Sequence, residues 1–272
     1  MTYQFIEKNG IKMIEVSAIK ESGVAIGYCT TRHGGISTDT CASMNCNIYK
    51  PFDLENGRKN FRLFCQAIDV NPDKVITNRL TAGTNLVRCV TKDDLIDIYD
   101  EPLAPRADGL VTNDPDITLY LYAADCAIIQ IVDPVNKAIG TCHAGWKGSL
   151  IGTIPNTVHA MQENYGSEAE NLIAVICPSI SGCCFEVGNE VAEDFKSHGF
   201  EKYILQDYAK PHIDLFGVNS ELLLSTGIPQ NKIHKIELCT YCNPDLFHSY
   251  RRGPVGNGLH KNGMNGMFLQ LV

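Results

Sequence analysis

No stretch of this 272-residue chain stays apolar for long enough to span a bilayer, so a transmembrane role is not expected. The opening residues, MTYQFIEKNGIKMIEV, lack the apolar core behind a basic segment that marks an export signal. A cytoplasmic location is therefore the default expectation. Positive charge is also in short supply: 23 Lys and Arg stand against 31 Asp and Glu, for a formal net charge of −8. That balance disfavours nucleic acid and anionic membranes as partners and leaves room only for a local basic pocket. Internal repeats, low-complexity runs and linkers are missing as well, and a single domain is the simplest organisation. A second C-x-x-C pair at zinc-ribbon spacing is also lacking, so Cys239-Thr240-Tyr241-Cys242 alone is weak evidence for a metal.

What is present is ordinary for a soluble globular protein: 44% hydrophobic and 20% charged residues, in a chain long enough to bury a core. The twelve cysteines are many. Without an export signal they are expected to be reduced, most of them packed as small hydrophobes. Cys183 and Cys184 are neighbours, which in a strand would point opposite ways and match no standard metal clip.

Apolar spacing predicts helices over 55–70, 189–198 and 214–226, and another over 149–165 in which Pro155 either kinks the helix or delays its start. Strand-like patterns cover 12–28, 172–177 and 233–238, and 74–90 reads as two strand segments or a strand and a loop. Strands and helices interleave, so the expected class is mixed α/β (α+β) with at least one antiparallel hairpin. A glycine-containing loop, Cys29 to Ser37, places Arg32 and His33 where a ligand could reach them. The residues after Arg252 form a glycine-rich tail expected to be mobile or wrapped over a site.

The central stretch is Leu119 to Gly148. Two Ile/Val-rich runs, Ala127–Val132 and Ala138–Cys142, flank the turn-forming tetrad Asp133-Pro134-Val135-Asn136. With Pro134 and Val135 at the tip, Asp133 faces Asn136 and, counting outward, Cys126 faces His143 on one side of the hairpin. Next come Ala144-Gly145-Trp146-Lys147-Gly148-Ser149 and a helix-like segment. Glycines and a helix start with free N–H groups could receive an anion, with Lys147 adding charge, although the spacing is not that of a Walker loop.

Taken in order, Thr31-Arg32-His33-Gly34-Gly35, Asp108-Gly109-Leu110-Val111-Thr112, Ala124-Asp125-Cys126, His143-Ala144-Gly145-Trp146-Lys147-Gly148, Cys183-Cys184-Phe185-Glu186-Val187-Gly188 and Cys239-Thr240 resemble the motifs of the YfiH family. These proteins are also called laccase-domain or multicopper polyphenol oxidoreductase proteins. The resemblance implies one α+β domain, a mixed β-sandwich flanked by helices and similar to the catalytic domain of cytotoxic necrotizing factors. It implies zinc-dependent purine nucleoside phosphorylase activity on adenosine, inosine and methylthioadenosine, with adenosine deamination as a side activity. Purine nucleoside and phosphate would be the partners of a monomer or homodimer. An older description of the family is a copper-dependent oxidase of phenols.

The family metal is held by His, Cys and His, and the last two match Cys126 and His143. The first lies in a Q-x-H element. The corresponding stretch here is Asn78-Arg79-Leu80-Thr81-Ala82-Gly83-Thr84-Asn85, without histidine, so Thr81, Ala82 or Gly83 is expected at its place. Asp125, Cys89 and His33 are the donors that could move in. Lys147 stands where the family has Arg, which keeps the charge and loses the bidentate fork. Arg32 and Lys147, with the Gly145–Ser149 backbone, are expected to hold phosphate, and His143 to assist the departing purine. Without metal, Cys126 and His143 could act as nucleophile and base of a hydrolase, or the chain could be a non-catalytic binding protein.

Overall fold

We describe the protein from a computed structural model covering all residues except 50, 51, 82, 101, 102, 257 and 258. The first strands are β1 (Gln4–Lys8), β2 (Ile11–Glu15), β3 (Ala25–Thr30), β4 (Val75–Thr77), β5 (Val87–Cys89) and β6 (Gly109–Thr112). Those that follow are β7 (Thr118–Ala123), β8 (Ala127–Asp133), β9 (Ala138–Ala144) and β10 (Ile173–Ile176). Two short ribbons, β11 (Ile204–Leu205) with β12 (His212–Ile213) and β14 (Val255–Gly256) with β15 (Leu259–His260), accompany β13 (Ile233–Lys235) and β16 (Asn265–Leu271). The helices are α1 (Ser17–Lys20), α2 (Leu54–Ala67), α3 (Trp146–Leu150), α4 (Thr153–Tyr165), α5 (Asn189–Ser197) and α6 (Leu215–Ser225).

Two six-stranded mixed sheets, ordered β1-β2-β3-β16-β7-β4 and β13-β10-β8-β9-β6-β5, face each other. Ile14, Leu119, Leu121, Met267 and Leu269 of the first sheet pack against Ile128, Val132, Ile139 and Val175 of the second. On the far side of the first sheet, Phe61 and Phe64 of α2 stack on Phe268. On the far side of the second, α4, α5 and α6 cover Ile129, Ile131 and Cys142. The expected mixed sandwich flanked by helices is thus observed. The side chains of β8 divide strictly by parity, with even numbers between the sheets and odd numbers under the helices, as a doubly covered strand requires.

The hairpin exists, but its register differs from the sequence expectation. Asp133 pairs with Ala138 and Ile128 with His143. The loop therefore holds four residues rather than two. Lys137 takes a left-handed φ of 50°, and the Asp133 carboxylate accepts hydrogen bonds from the Val135 and Asn136 N–H groups and from the Asn136 amide. These bonds reward the longer turn. Because the slip is two residues, every side chain keeps its face.

The glycine-rich C-terminal segment is also corrected. Part of it, residues 257 and 258, lies outside the described residues, but β16 is neither mobile nor a cover: it is a central strand between β3 and β7. The 149–165 helix is split, with α3 ending near Ile151 and Gly152 (φ 87°) turning the chain into α4, so Pro155 sits in a first turn where it removes no needed donor. No helix among the described residues is long and apolar enough to cross a membrane.

Candidate active site

Cys126 precedes β8 by one residue, and Asp125 before it carries a φ of 83°. A non-glycine residue adopts that conformation only under external constraint, and the constraint is visible. The Asp125 carboxylate accepts from Thr240 Oγ1 (2.6 Å), Ser249 Oγ (2.9 Å) and the Arg251 N–H (2.7 Å), while its carbonyl accepts from the Ile180 N–H. Three separate loops therefore set the direction in which Cys126 leaves the backbone.

His143 projects from β9 onto the same face. It pairs with Ile128, so Cys126, two residues on, is its diagonal neighbour, still within reach on that face. The Cys126 sulfur stands beside the His143 ring on one side, where both meet Gly145. On the other, Nδ1 lies 3.2 Å from Asp108 Oδ1. Nδ1 serving Asp108 leaves Nε2 facing Cys126. Gly145 closes the arrangement by absence of bulk: a β-carbon there would sit 2.8 Å from Cys126 Sγ and 3.2 Å from His143 Nε2.

Asp108 is fully buried and gathers a cage of donors. Thr81 and Thr84 each offer a hydroxyl and a backbone N–H, and Gly83 offers its N–H. Burial disfavours its charge, but the bonds from His143, Thr84 and Gly83 outweigh it and hold the carboxyl well below the usual carboxylate range. For His143, burial likewise opposes charge. The adjacent Cys126 sulfur and the Asp108 carboxylate prevail and raise its pKa from 6.5 to about 10.

Cys126 and His143 line a cleft of about 670 Å³, within the range of small-molecule sites. Tyr122, Trp146, Phe185 and Tyr250 line it, and Arg79 and Arg251 add two cations. Neither arginine is distinguished in the sequence, since Arg79 lies in an irregular segment and Arg251 follows a run without periodicity. Only the fold brings them to one cavity.

Other expected site residues are placed elsewhere. Arg32 lies in a separate hollow beside His248 and Arg252, where its guanidinium donates to the carbonyls of Ala42 (2.7 Å) and Pro244 (2.9 Å). It clamps loops rather than facing Cys126. Ser149 is buried under α6 and donates to Asn219 Oδ1 at 2.7 Å. Lys147 is exposed, its ammonium 5.2 Å from the centre of the Trp146 ring at the cleft's rim. α3 is one short turn whose Ser149 N–H already bonds to Gly145 O.

Among the described residues, no candidate donor stands in for the histidine that the family resemblance places first. Thr81 and Gly83 turn toward Asp108, and Ala82 lies outside the described residues. The residues from that stretch that line the cleft are Arg79 and Leu80. Asp125 is committed to its three donors, Cys89 Sγ lies 2.9 Å from Tyr165 OH on β5, and His33 is exposed on its loop. A catalytic zinc takes three protein ligands and an open position. Cys126 and His143 supply two, which does not fit that group. Among the described residues, the one set of three or more His, Cys, Asp or Glu donors close enough for a metal is Cys183, Cys184, Cys239 and Cys242, away from the trio.

Comparison with known proteins bears on the family and the fold. The model of the family described as "Multi-copper polyphenol oxidoreductase laccase" matches residues 27–265. A purine nucleoside phosphorylase from Bacteroides thetaiotaomicron is 31% identical over 238 residues, covering 85% of this chain and 87% of that protein. The human purine nucleoside phosphorylase LACC1 is 40% identical over 239 residues, covering 84% of this chain and 53% of that protein. The crystal structure of Bacillus licheniformis hypothetical protein YfiH superposes with a TM-score of 0.88 at 27% identity, covering 98% and 99% of the two chains.

Proposed function

This chain belongs to the multi-copper polyphenol oxidoreductase laccase family, and we propose that it is a purine nucleoside phosphorylase whose chemistry is carried by His143 and its two partners. The observation that carries the proposal is the buried Asp108–His143–Cys126 contact opening onto a cleft with aromatic walls and two arginines. The phosphorylase names of the relatives support it.

A purine is flat, and rings such as Trp146 and Tyr250 suit its faces. Phosphate needs cations, and Arg79 and Arg251 bring positive charge to the cleft, Arg251 also donating through Nη2 to Glu186 O at 2.8 Å. In the reaction, a phosphate oxygen bonds to ribose C1′ as the C1′–N9 bond of the nucleoside breaks and its electron pair goes to the purine. His143, kept protonated by Asp108, gives its Nε2 proton to the departing base. The phosphate ester's own hydroxyl proton then returns to the ring, so the enzyme ends as it began. Positioned acid catalysis of this kind contributes roughly 10²–10⁴-fold. The Cys126 sulfur flanks the Nε2 edge of the ring where it meets the cleft, and Asp108 holds the opposite nitrogen.

The test is the release of ribose 1-phosphate and free base from inosine and adenosine by the purified protein. Product formation should depend strictly on phosphate and vanish in His143→Ala. Base released equally fast without phosphate, or no release from any purine nucleoside, would overturn the reading.

A further inference from the structure

Four sulfurs lie at one surface point behind the cleft wall, and the activity above uses none of them. Cys184 Sγ is 3.2 Å from Cys242 Sγ, Cys183 Sγ is 3.6 Å from Cys242 Sγ, and Cys183 and Cys184 are 3.5 Å apart. With Cys239 included, all four ligand atoms lie within 4.8 Å of one another. We propose that Cys183, Cys184, Cys239 and Cys242 bind one zinc ion as a closed structural site.

The geometry matches the ion. Four thiolates at a zinc–sulfur distance of about 2.3 Å form a tetrahedron whose edges are about 3.8 Å. The observed separations bracket that edge, so small movements complete the shell. The sequence objection to adjacent cysteines holds for a strand, and these two are not in one. Residues Ser181 to Phe185 form a tight turn in which the Cys184 and Phe185 N–H groups both bond to Ser181 O, which brings successive side chains to one side. Opposite them, Cys239 Sγ accepts the backbone N–H of Ser181 at 3.4 Å. An amide donor aimed at a sulfur suits a thiolate in a metal shell.

A disulfide would use two of the sulfurs and leave the other two as unpaired thiols beside it, whereas one metal ion engages all four. An all-sulfur tetrahedral set favours zinc or iron over harder ions, and a single closed four-thiolate shell is the structural zinc arrangement. Binding would release the thiol protons and couple the metal to folding.

The site would brace the cleft from outside. One loop carries Ile180 and Phe185, which line the cleft. The other carries Thr240, whose hydroxyl holds Asp125 next to Cys126. They otherwise meet through the Ser179–Cys239 bridge and the Thr240 N–H to Ser179 O bond.

The test is the zinc content of untagged protein purified under reductant. One zinc per chain is expected in the wild type and in Cys126→Ala/His143→Ala, and none in Cys239→Ser/Cys242→Ser. Cys184→Ser, and titration of wild-type thiols with a mercurial while released zinc is followed, serve where the double variant does not fold. Release should be complete once four thiols have reacted. Substitution of cobalt for zinc in the Cys126→Ala/His143→Ala background should produce a thiolate-to-cobalt charge-transfer band. Zinc that survives in the Cys239→Ser/Cys242→Ser protein, zinc-free reduced wild type, or a Cys184–Cys242 disulfide in unreduced protein would each overturn the proposal. None of these readouts uses nucleoside turnover, so the site can fail while the phosphorylase reading stands, and the reverse.

Discussion

Gly145 separates what the fold requires from what the chemistry requires. Its φ is −65°, a value any residue adopts, so alanine brings no backbone strain there. The difficulty is space. The added β-carbon would lie 2.8 Å from Cys126 Sγ, 3.2 Å from His143 Nε2 and 3.3 Å from Cys126 Cβ. Ordinary carbon contacts need about 3.5–4.0 Å, so Sγ must swing away by several tenths of an ångström or more. A thiol at the end of a side chain can do this cheaply, and the stability loss should fall at or below the low end of the 1–3 kcal/mol typical of overpacking. At about 2 °C per kcal/mol for a chain of this size, the melting temperature moves by only about 1–3 °C.

The chemistry has no such freedom, because the displaced atoms are the sulfur and ring nitrogen that meet at the cleft floor. Displacements near 1 Å at a reacting group cost on the order of 100-fold, and Gly145→Ala should lower kcat for phosphate-dependent inosine cleavage by about that factor. Gly199→Ala is the converse control. Gly199 has a φ of 86° and nothing within 4 Å of its would-be β-carbon, so the left-handed backbone alone should cost about 1–2 kcal/mol while turnover stays unchanged. Steady-state kinetics and thermal melts on both variants decide it. A Gly145→Ala enzyme with wild-type kcat would refute the placement of the reacting atoms.

Asp108→Asn should cut kcat by about 100-fold or more with little change in nucleoside KM, since the amide cannot sustain a charged His143; equal kcat would remove Asp108 from the mechanism. Ser149→Ala should cost about 1–3 kcal/mol in denaturant melts by stranding buried Asn219 Oδ1. It should leave the KM for phosphate unchanged, and a large rise in that KM would restore Ser149 to the phosphate site. His248 supplies a pH test of stability. Burial, then the nearby Arg32 charge, lowers its pKa to about 3, and its Nε2 lies 3.1 Å from Met44 O. Below pH 6.5 the unfolded chain binds a proton that the folded chain refuses until about pH 3, so stability falls as pH falls through that window, by up to about 1.4 kcal/mol per pH unit. Urea midpoints at pH 7 and pH 5 should differ less in His248→Gln than in the wild type, and an unchanged difference would assign the acid sensitivity elsewhere.

Much of this fold is legible in the residues because patterns of period two and 3.6 are local. The helices over 54–67, 189–197 and 215–225 lie where apolar spacing places them. The hairpin shows both the strength and the weakness of such reasoning. Its strands and its Cys–His end could be read, but its register depended on Lys137 accepting a left-handed φ and on the Asp133 side chain bonding into the turn. The two-residue error preserved the inference because parity decides the face. β16 was obscured because Asn265 and Gly266 open it and Gln270 breaks its apolar run, and its burial on both faces comes from elements elsewhere in the chain. Arg79 and Arg251 could not be read at all: nothing local distinguishes them from Arg32, which lines a different hollow.

The position of the site follows from where the covering sheet stops. Between the sheets, the inward stripe of β8 runs Val132, Gln130, Ile128, with Gln130 donating to Phe268 O and the others packed in the core. The facing strands end at Ala123 of β7 and Asn265 of β16, which pair with each other. Beyond that pair the second sheet continues, and the next inward position on the same stripe is Cys126, with His143 beside Ile128 on the neighbouring strand. Ala123, Ala124 and Met264 form the cleft wall at that boundary. The reacting pair therefore occupies core positions left uncovered by the shorter sheet. Their rigidity comes from the strands below them and their access from the missing layer above. Such a location permits a charged His143 because the Cys126 sulfur beside it and Asp108, the residue before β6, together oppose the cost of burial. Without the caged carboxylate one of those two supports is lost, and the cleft would retain its shape while its acid weakens.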